Sequence, residues 1–146
     1  MAERWRRMLP GLWAGMLICI AAIAAPAAFG ALPNADAGQV VARIFVREGW
    51  LSLGLAALLL WLQRRPGGMA PAGPTVANAA LLWTTVVCTL LGYFAVQALM
   101  PAARTGQGVL SFAQLHLITT AFYGIKTLAV LLLAWRATGV SRPPSF

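Results

Sequence analysis

The few ionisable and amide side chains inside apolar stretches are the places where this sequence could carry out chemistry. Glu48, Gln97 and His116 lie in three different apolar stretches, and an ionisable group inside a bilayer is a functional candidate by default. At a rise of about 1.5 Å per helical residue, each lies about 4.5–6 Å from the outer boundary of its stretch, Glu48 and His116 near the start and Gln97 near the end. The common depth predicts a polar cluster near the outer face that binds a proton, an ion or a polar ligand. The alternative is hydrogen bonding that only joins helices.

A second candidate is Lys126, which lies deep in the last apolar stretch. Nine residues separate it from Trp135, or about 13 Å of helix. No carboxylate is expected at that depth, so the side chain is predicted to snorkel toward the cytoplasm. The same stretch carries polar residues at helical spacing, which should face other helices because lipid offers no hydrogen-bond partners. They are His116, Thr119, Thr120, Tyr123 and Thr127.

Enzyme and cofactor chemistry lacks the residues that it needs. The chain has a single histidine, whereas membrane cytochromes of the two-histidine type need a pair and a zinc hydrolase needs about three protein ligands. No GxSxG, Walker A or HExxH motif is present. We therefore expect no enzyme activity, no cofactor and no catalytic metal. Cys19 and Cys88 leave open a soft-metal site with Met16, but their ordinary role is that of small hydrophobes.

The composition indicates the kind of fold that holds these side chains in place. Of 146 residues, 60% are hydrophobic and 10% charged, against about 25% charged in soluble domains. Crossing a bilayer takes about 20 apolar residues, and the chain, 1–146, is predicted to be a single membrane domain with four spans. They lie at about 8–29, 44–62, 79–100 and 112–135. Short connections predict an all-α four-helix transmembrane bundle, up-down-up-down.

Single features of the sequence indicate where the first helix ends and where the second begins. The first apolar stretch exceeds the roughly 7–15 residues of a signal-peptide core, so we expect it to be an uncleaved span. Pro26 lies one turn from its end and should kink or terminate the helix. The second helix is expected to begin before its span, near Ala37, with Asp36 as a candidate N-cap.

The charge distribution predicts orientation and partners. The net charge is +8, and the termini and the 63–78 loop hold seven basic residues, whereas the opposite side holds Arg43, Arg47 and Arg104. This asymmetry predicts that both termini are cytoplasmic, and the Arg- and Ala-rich composition suggests a bacterial inner membrane. The basic residues form no continuous patch, so nucleic acid is not an expected partner. The expected partners are the lipid bilayer and a homo-oligomer or larger membrane complex.

Short motifs across most of the chain resemble a known family. They are Ala25, Pro26 and Phe29, then Ala37 and Gly38 before Phe45, and Leu115 and His116 followed by Thr119 and Thr120. Over about residues 8–137 the chain is similar to bacterial four-helix membrane proteins related to eukaryotic transmembrane protein 205, a family largely of unknown function. The resemblance implies a multi-pass protein with no assigned cofactor. Lys126 and the long Pro/Gly loop depart from the family pattern.

These observations predict a small multi-pass membrane protein that is a non-catalytic accessory or self-associating component. The alternative is a small transporter or permeation element for a proton, metal or small solute that uses Glu48, Gln97 and His116. A 15.5 kDa chain folded into four helices leaves little interior volume, so transport would require an oligomer.

Overall fold

The computed structural model of the chain describes residues 2–64 and 76–139. Within these ranges every regular element is helical, and four helices are long and apolar enough to cross a membrane. The predicted all-α four-helix bundle is therefore confirmed. The first helix comprises Ala2–Cys19, Ile20–Ala24 and Ala25–Ala31, the second is Asn34–Arg64, the third comprises Val76–Thr89, Leu90–Ala95 and Val96–Arg104, and the fourth is Phe112–Thr138.

Successive helices run antiparallel. Residues 32–33 join the first helix to the second, and residues 105–111 join the third to the fourth. We refer to the end of the bundle with these two connections as the hairpin end. The opposite end, where the first helix begins and the fourth ends, is the terminal end. The fourth helix packs against both the first and the third.

The second helix begins earlier than the sequence suggested. The Ala37 amide donates to the Pro33 carbonyl at 2.9 Å, so the helix begins at Asn34 and Asp36 lies within its first turn rather than at its cap. The helix is 31 residues long, or about 46 Å at 1.5 Å per residue. The predicted span, 44–62, lies within this helix.

Two π-helical turns interrupt otherwise regular helices. Ile20–Ala24 precedes Pro26, whose missing amide proton cannot donate to a carbonyl one turn earlier. The helix nevertheless continues to Ala31, so Pro26 does not terminate it. The second π-helical turn, Leu90–Ala95, contains the buried Gly92. A Cβ atom on Gly92 would lie 2.7 Å from the Phe122 Cγ atom, so a glycine there lets the third and fourth helices approach closely.

An apolar cluster fills the bundle from its middle toward the terminal end. All four helices contribute, and the buried members are Trp13, Ala14, Leu17, Ala56, Leu59, Leu82, Val130 and Leu133. The buried polar side chains lie at the edge of this cluster and toward the hairpin end. Toward the hairpin end, buried apolar Ala37, Val96 and Leu115 accompany the half-buried polar Tyr93 and Gln97.

Candidate functional site

A buried ion pair joins the second and fourth helices. Lys126 Nζ donates to Glu48 Oε1 and Oε2, each at 2.8 Å, and the two side chains are only 3% and 4% exposed. The prediction that Lys126 snorkels away from the core was therefore wrong, as was the expectation that no carboxylate shares its depth. Each charge neutralises the other in a medium where an unpaired charge is expensive.

The depth of the pair follows from the helix bounds. Glu48 is the fifteenth of the 31 residues in the second helix, and Lys126 is the fifteenth of the 27 residues in the fourth. Both side chains therefore leave their helices near the middle. Glu48 was predicted to lie about 6 Å inside a span that begins at residue 44, and its helix extends ten residues beyond that boundary.

A hydrogen-bond chain extends the pair to the first helix. Trp13 Nε1 donates to Ser52 Oγ at 3.0 Å, and the Ser52 hydroxyl donates to Glu48 Oε1 in a short hydrogen bond. Ser52 lies one helical turn after Glu48, on the same face. The carboxylate thus accepts hydrogen bonds from Ser52 as well as from Lys126, which offsets part of its desolvation cost.

Tyr123 covers the other side of Lys126. Its ring centroid lies 4.8 Å from Lys126 Nζ, within range of a cation–π interaction. The Tyr123 hydroxyl donates to the Leu17 carbonyl at 2.9 Å, and Phe45 packs edge-on against the ring with centroids 5.1 Å apart. Tyr123 therefore connects the first, second and fourth helices at the level of the ion pair.

A small cavity lies beside the pair, on the side toward the hairpin end. Its volume is about 20 Å³, which is enough for one water molecule. The lining combines charged and hydroxyl groups with aromatic rings and one thiol, and consists of Phe45, Glu48, Cys88, Thr89, Gly92, Tyr93, Thr119, Phe122, Tyr123 and Lys126. The second, third and fourth helices all contribute to it.

The structure does not bring the predicted Glu48, Gln97 and His116 cluster together. Gln97 Nε2 donates to the Tyr93 hydroxyl at 3.3 Å, and this hydroxyl donates to the Ala42 carbonyl at 3.1 Å. His116 is exposed and stacks on Phe112 with ring centroids 6.2 Å apart. Its position is ten residues, or about 15 Å of helix, from Lys126, so the helix bounds place it near the hairpin end rather than at the pair.

Two arginines close to Glu48 in the sequence do not take part in the ion pair. Arg43 and Arg47 are both exposed, whereas Glu48 faces the interior with Ser52 and Lys126 as its hydrogen-bond partners. In the part of the chain that the structure describes, no group of three or more His, Cys, Asp or Glu side chains is placed to hold a metal ion. Cys19 is exposed and Cys88 is buried.

Sequence reasoning missed the partners of the ion pair, although part of the signal was present. Ser52 follows Glu48 by four residues and Tyr123 precedes Lys126 by three, and both spacings put side chains on one helical face. Glu48 and Lys126 are also the opposite charges furthest inside their helices. The rule that buried intramembrane charges pair with one another would have linked them.

Comparison with known protein families gives a match over residues 8–108 to a family described as a domain of unknown function, DUF4149. The matched region includes the first three helices and Glu48, and ends before the fourth helix and Lys126. No curated protein and no solved structure matches the chain.

Proposed function

The chain belongs to the DUF4149 family, whose function is unknown, and we propose that it is a non-catalytic multi-pass membrane component that acts through its outer surface. It serves either as an accessory subunit of a larger complex or as a self-associating protein. The observation that carries this proposal is the pairing of the interior charges. Glu48 and Lys126 neutralise each other, and the cavity beside them, about 20 Å³ in volume, has room for about one water molecule.

An interior whose charges are paired and whose remaining core is apolar argues against chemistry or passage within one bundle. From the ion pair to the terminal end, all four helices contribute to an apolar cluster, which offers a solute no polar groups to replace its hydration. The polar side chains at mid-depth are bonded to one another, so they fix the helices relative to each other. Such a bundle is suited to presenting a fixed surface.

The outer surface offers large apolar side chains to lipid or to another helix. Trp50, Trp61, Trp83 and Trp135 are all exposed, and aromatic side chains of this kind occur both at membrane interfaces and in protein contacts. The proposal places the protein in a bacterial inner membrane with both termini in the cytoplasm. We also propose that the chain is related to transmembrane protein 205, as its short motifs suggest.

Cross-linking in native membranes followed by native mass spectrometry tests this proposal. We expect a species heavier than one 15.5 kDa chain, made either of several copies or of one copy with a second membrane protein. A matched experiment replaces exposed Trp83 by Ala, which changes the outer surface and leaves the ion pair intact. Recovery of a single unlinked chain throughout would contradict the proposal.

The second candidate function is a small transporter or permeation element for a proton, metal or small solute. The observation that favours it is the position of the Glu48–Lys126 pair, which is near the middle of both helices and next to a polar cavity. Reconstitution into liposomes that contain a pH-sensitive dye separates the two candidates. A proton flux that disappears in Glu48→Gln supports transport, and the absence of flux in the unaltered protein supports the non-catalytic component.

A further inference from the structure

We propose that the cavity beside the ion pair is a binding site for a single water molecule, and that this water exchanges with one end of the bundle only, the hairpin end. The proposal goes beyond the accessory function, because it concerns the interior rather than the outer surface. It rests on the polar groups at the cavity, on the half-buried polar residues toward the hairpin end, and on the apolar seal toward the terminal end.

The polar groups that line the cavity have unused hydrogen-bonding capacity. The Lys126 ammonium group has three donors, and its hydrogen bonds go to the two oxygens of Glu48. Thr89 and Thr119 each donate their hydroxyl to the backbone of their own helix, and each oxygen can still accept a hydrogen bond. A buried water needs about two to four polar partners, and this lining provides them within a volume of about 20 Å³.

A series of polar groups extends from the cavity toward the hairpin end. Tyr93 lies one turn beyond Thr89, lines the cavity and is half-buried. Gln97 lies one turn further, is also half-buried, and donates to the Tyr93 hydroxyl at 3.3 Å. The π-helical turns Ile20–Ala24 and Leu90–Ala95 are in this same part of the bundle, and such turns are frequent at functional sites.

Tightly packed side chains separate the ion pair from the terminal end of the bundle. Trp13 is buried and bonded to Ser52 directly beneath the pair. Beyond it, Leu82 and Val130 are fully buried in the apolar cluster. Toward the hairpin end, water that reaches Lys126 passes the half-buried Tyr93 and Gln97. Toward the terminal end it meets the hydroxyls of Ser52 and Thr85, which already donate hydrogen bonds, and then the apolar cluster. The pair is buried, but its hydration is tied to one side of the membrane.

Cys88 is a native reporter for this site, because it is buried and lines the cavity. The probe is Ag⁺, a water-sized cation that reacts with thiols. In a Cys19→Ser protein, Ag⁺ is added to one side of sealed membrane vesicles of known orientation, and the remaining free thiol is measured with a maleimide after denaturation. In a separate Cys19→Ser, Cys88→Ser protein, Thr105→Cys, in the exposed connection at the hairpin end, identifies which side of the vesicle faces that end.

We expect Ag⁺ to protect Cys88 from the maleimide when added at the hairpin end and not when added at the terminal end. Ala56→Cys in a Cys19→Ser, Cys88→Ser protein is the internal control, because Ala56 is fully buried in the apolar cluster, and it should stay unprotected from both sides. No protection of Cys88 from the hairpin end, or equal protection from both ends, would overturn the proposal.

A pair of neighbouring substitutions tests the route itself. Thr119 lines the cavity, whereas Thr120 is exposed on the outside of the bundle. Thr119→Leu should fill the cavity and abolish the protection of Cys88, and Thr120→Leu should leave it unchanged. The thermal transition of each variant reports whether it folds. Folded Thr119→Leu protein that still shows full protection of Cys88 would contradict the assignment.

Discussion

The Glu48–Lys126 pair sets the energetic consequences of single substitutions at this site. Removing one partner of a buried pair leaves an uncompensated charge, whereas replacing both by apolar side chains of similar volume is often neutral or stabilising. The two charges thus matter to one another more than to the rest of the bundle. Removing one charge should therefore destabilise the bundle, whereas removing both should change its stability much less.

Lys126→Met should lower the free energy of unfolding by about 3–5 kcal/mol, because Glu48 is left buried without its counter-ion. The double variant Glu48→Leu, Lys126→Met should recover most of that loss. Thermal unfolding in detergent measures both. Arg47→Met, one residue away and exposed, is the matched control and should change little. An equal loss in the single and double variants would show that the pair is not coupled.

Ser52 links Trp13 to Glu48, so a substitution that removes its hydroxyl group removes two hydrogen bonds. Ser52→Ala should cost about 1–3 kcal/mol of unfolding free energy, because the buried indole N–H of Trp13 keeps no acceptor. The exposed Thr120→Ala is the comparison, expected within about 0.5 kcal/mol of the unaltered protein. The same thermal assay applies, and indistinguishable melting of the two variants would refute the role given to Ser52.

At the scale of the helices, the sequence predicted the elements well and their register poorly. Long apolar stretches require helices in a bilayer, because only helices satisfy every backbone group within one segment. The start of the fourth helix at Phe112 was also correct, and a capping box between Ser111 and Gln114 fixes it. The start of the second helix was predicted near Ala37, three residues after its observed start at Asn34, because Asp36 resembles an N-cap although it lies within the first turn.

The pairing of Glu48 with Lys126 could not be obtained from such boundaries. It depends on the rotation of two helices about their axes and on their relative depth, which apolar stretches do not define. The expected cluster with Gln97 and His116 relied on a common depth counted from span boundaries, without the rotation of each helix. The π-helical turns were equally inaccessible, because a regular helical repeat was assumed throughout.

The close approach of Gly92 to Phe122 predicts how substitutions affect the packing of the third and fourth helices. A Cβ atom on Gly92 would overlap Phe122, so Gly92→Ala should separate the third and fourth helices and cost about 1–3 kcal/mol of unfolding free energy. Gly124→Ala is the control, since nothing lies within 4 Å of its Cβ position. Adding Phe122→Ala should relieve only part of the overlap, because the nearest atom is the Phe122 Cβ, which alanine retains. A Gly92→Ala protein that melts like the Gly124→Ala protein would contradict this packing.

At the scale of the whole molecule, the expected orientation gives a labelling experiment. Single cysteines at Thr105 and Ser145, in a Cys19→Ser, Cys88→Ser background, should react with an impermeant maleimide from opposite sides of the membrane. Positive charge at the termini predicts that the cysteine at position 145 is cytoplasmic. Thr105 lies at the hairpin end, whereas Ser145 is outside the described residues. Labelling of both from one side would exclude a four-span arrangement.

The distance along the chain between the two charges has a consequence for biosynthesis. Glu48 precedes Lys126 by 78 residues, so the ribosome delivers the acidic helix to the insertion machinery two helices before its basic partner. A charged residue at a helix centre raises the cost of entering lipid by about 2.5–3.5 kcal/mol. The second helix should therefore stay at the insertion site until the fourth arrives. Nascent chains that stop before Lys126 should be retained there or degraded.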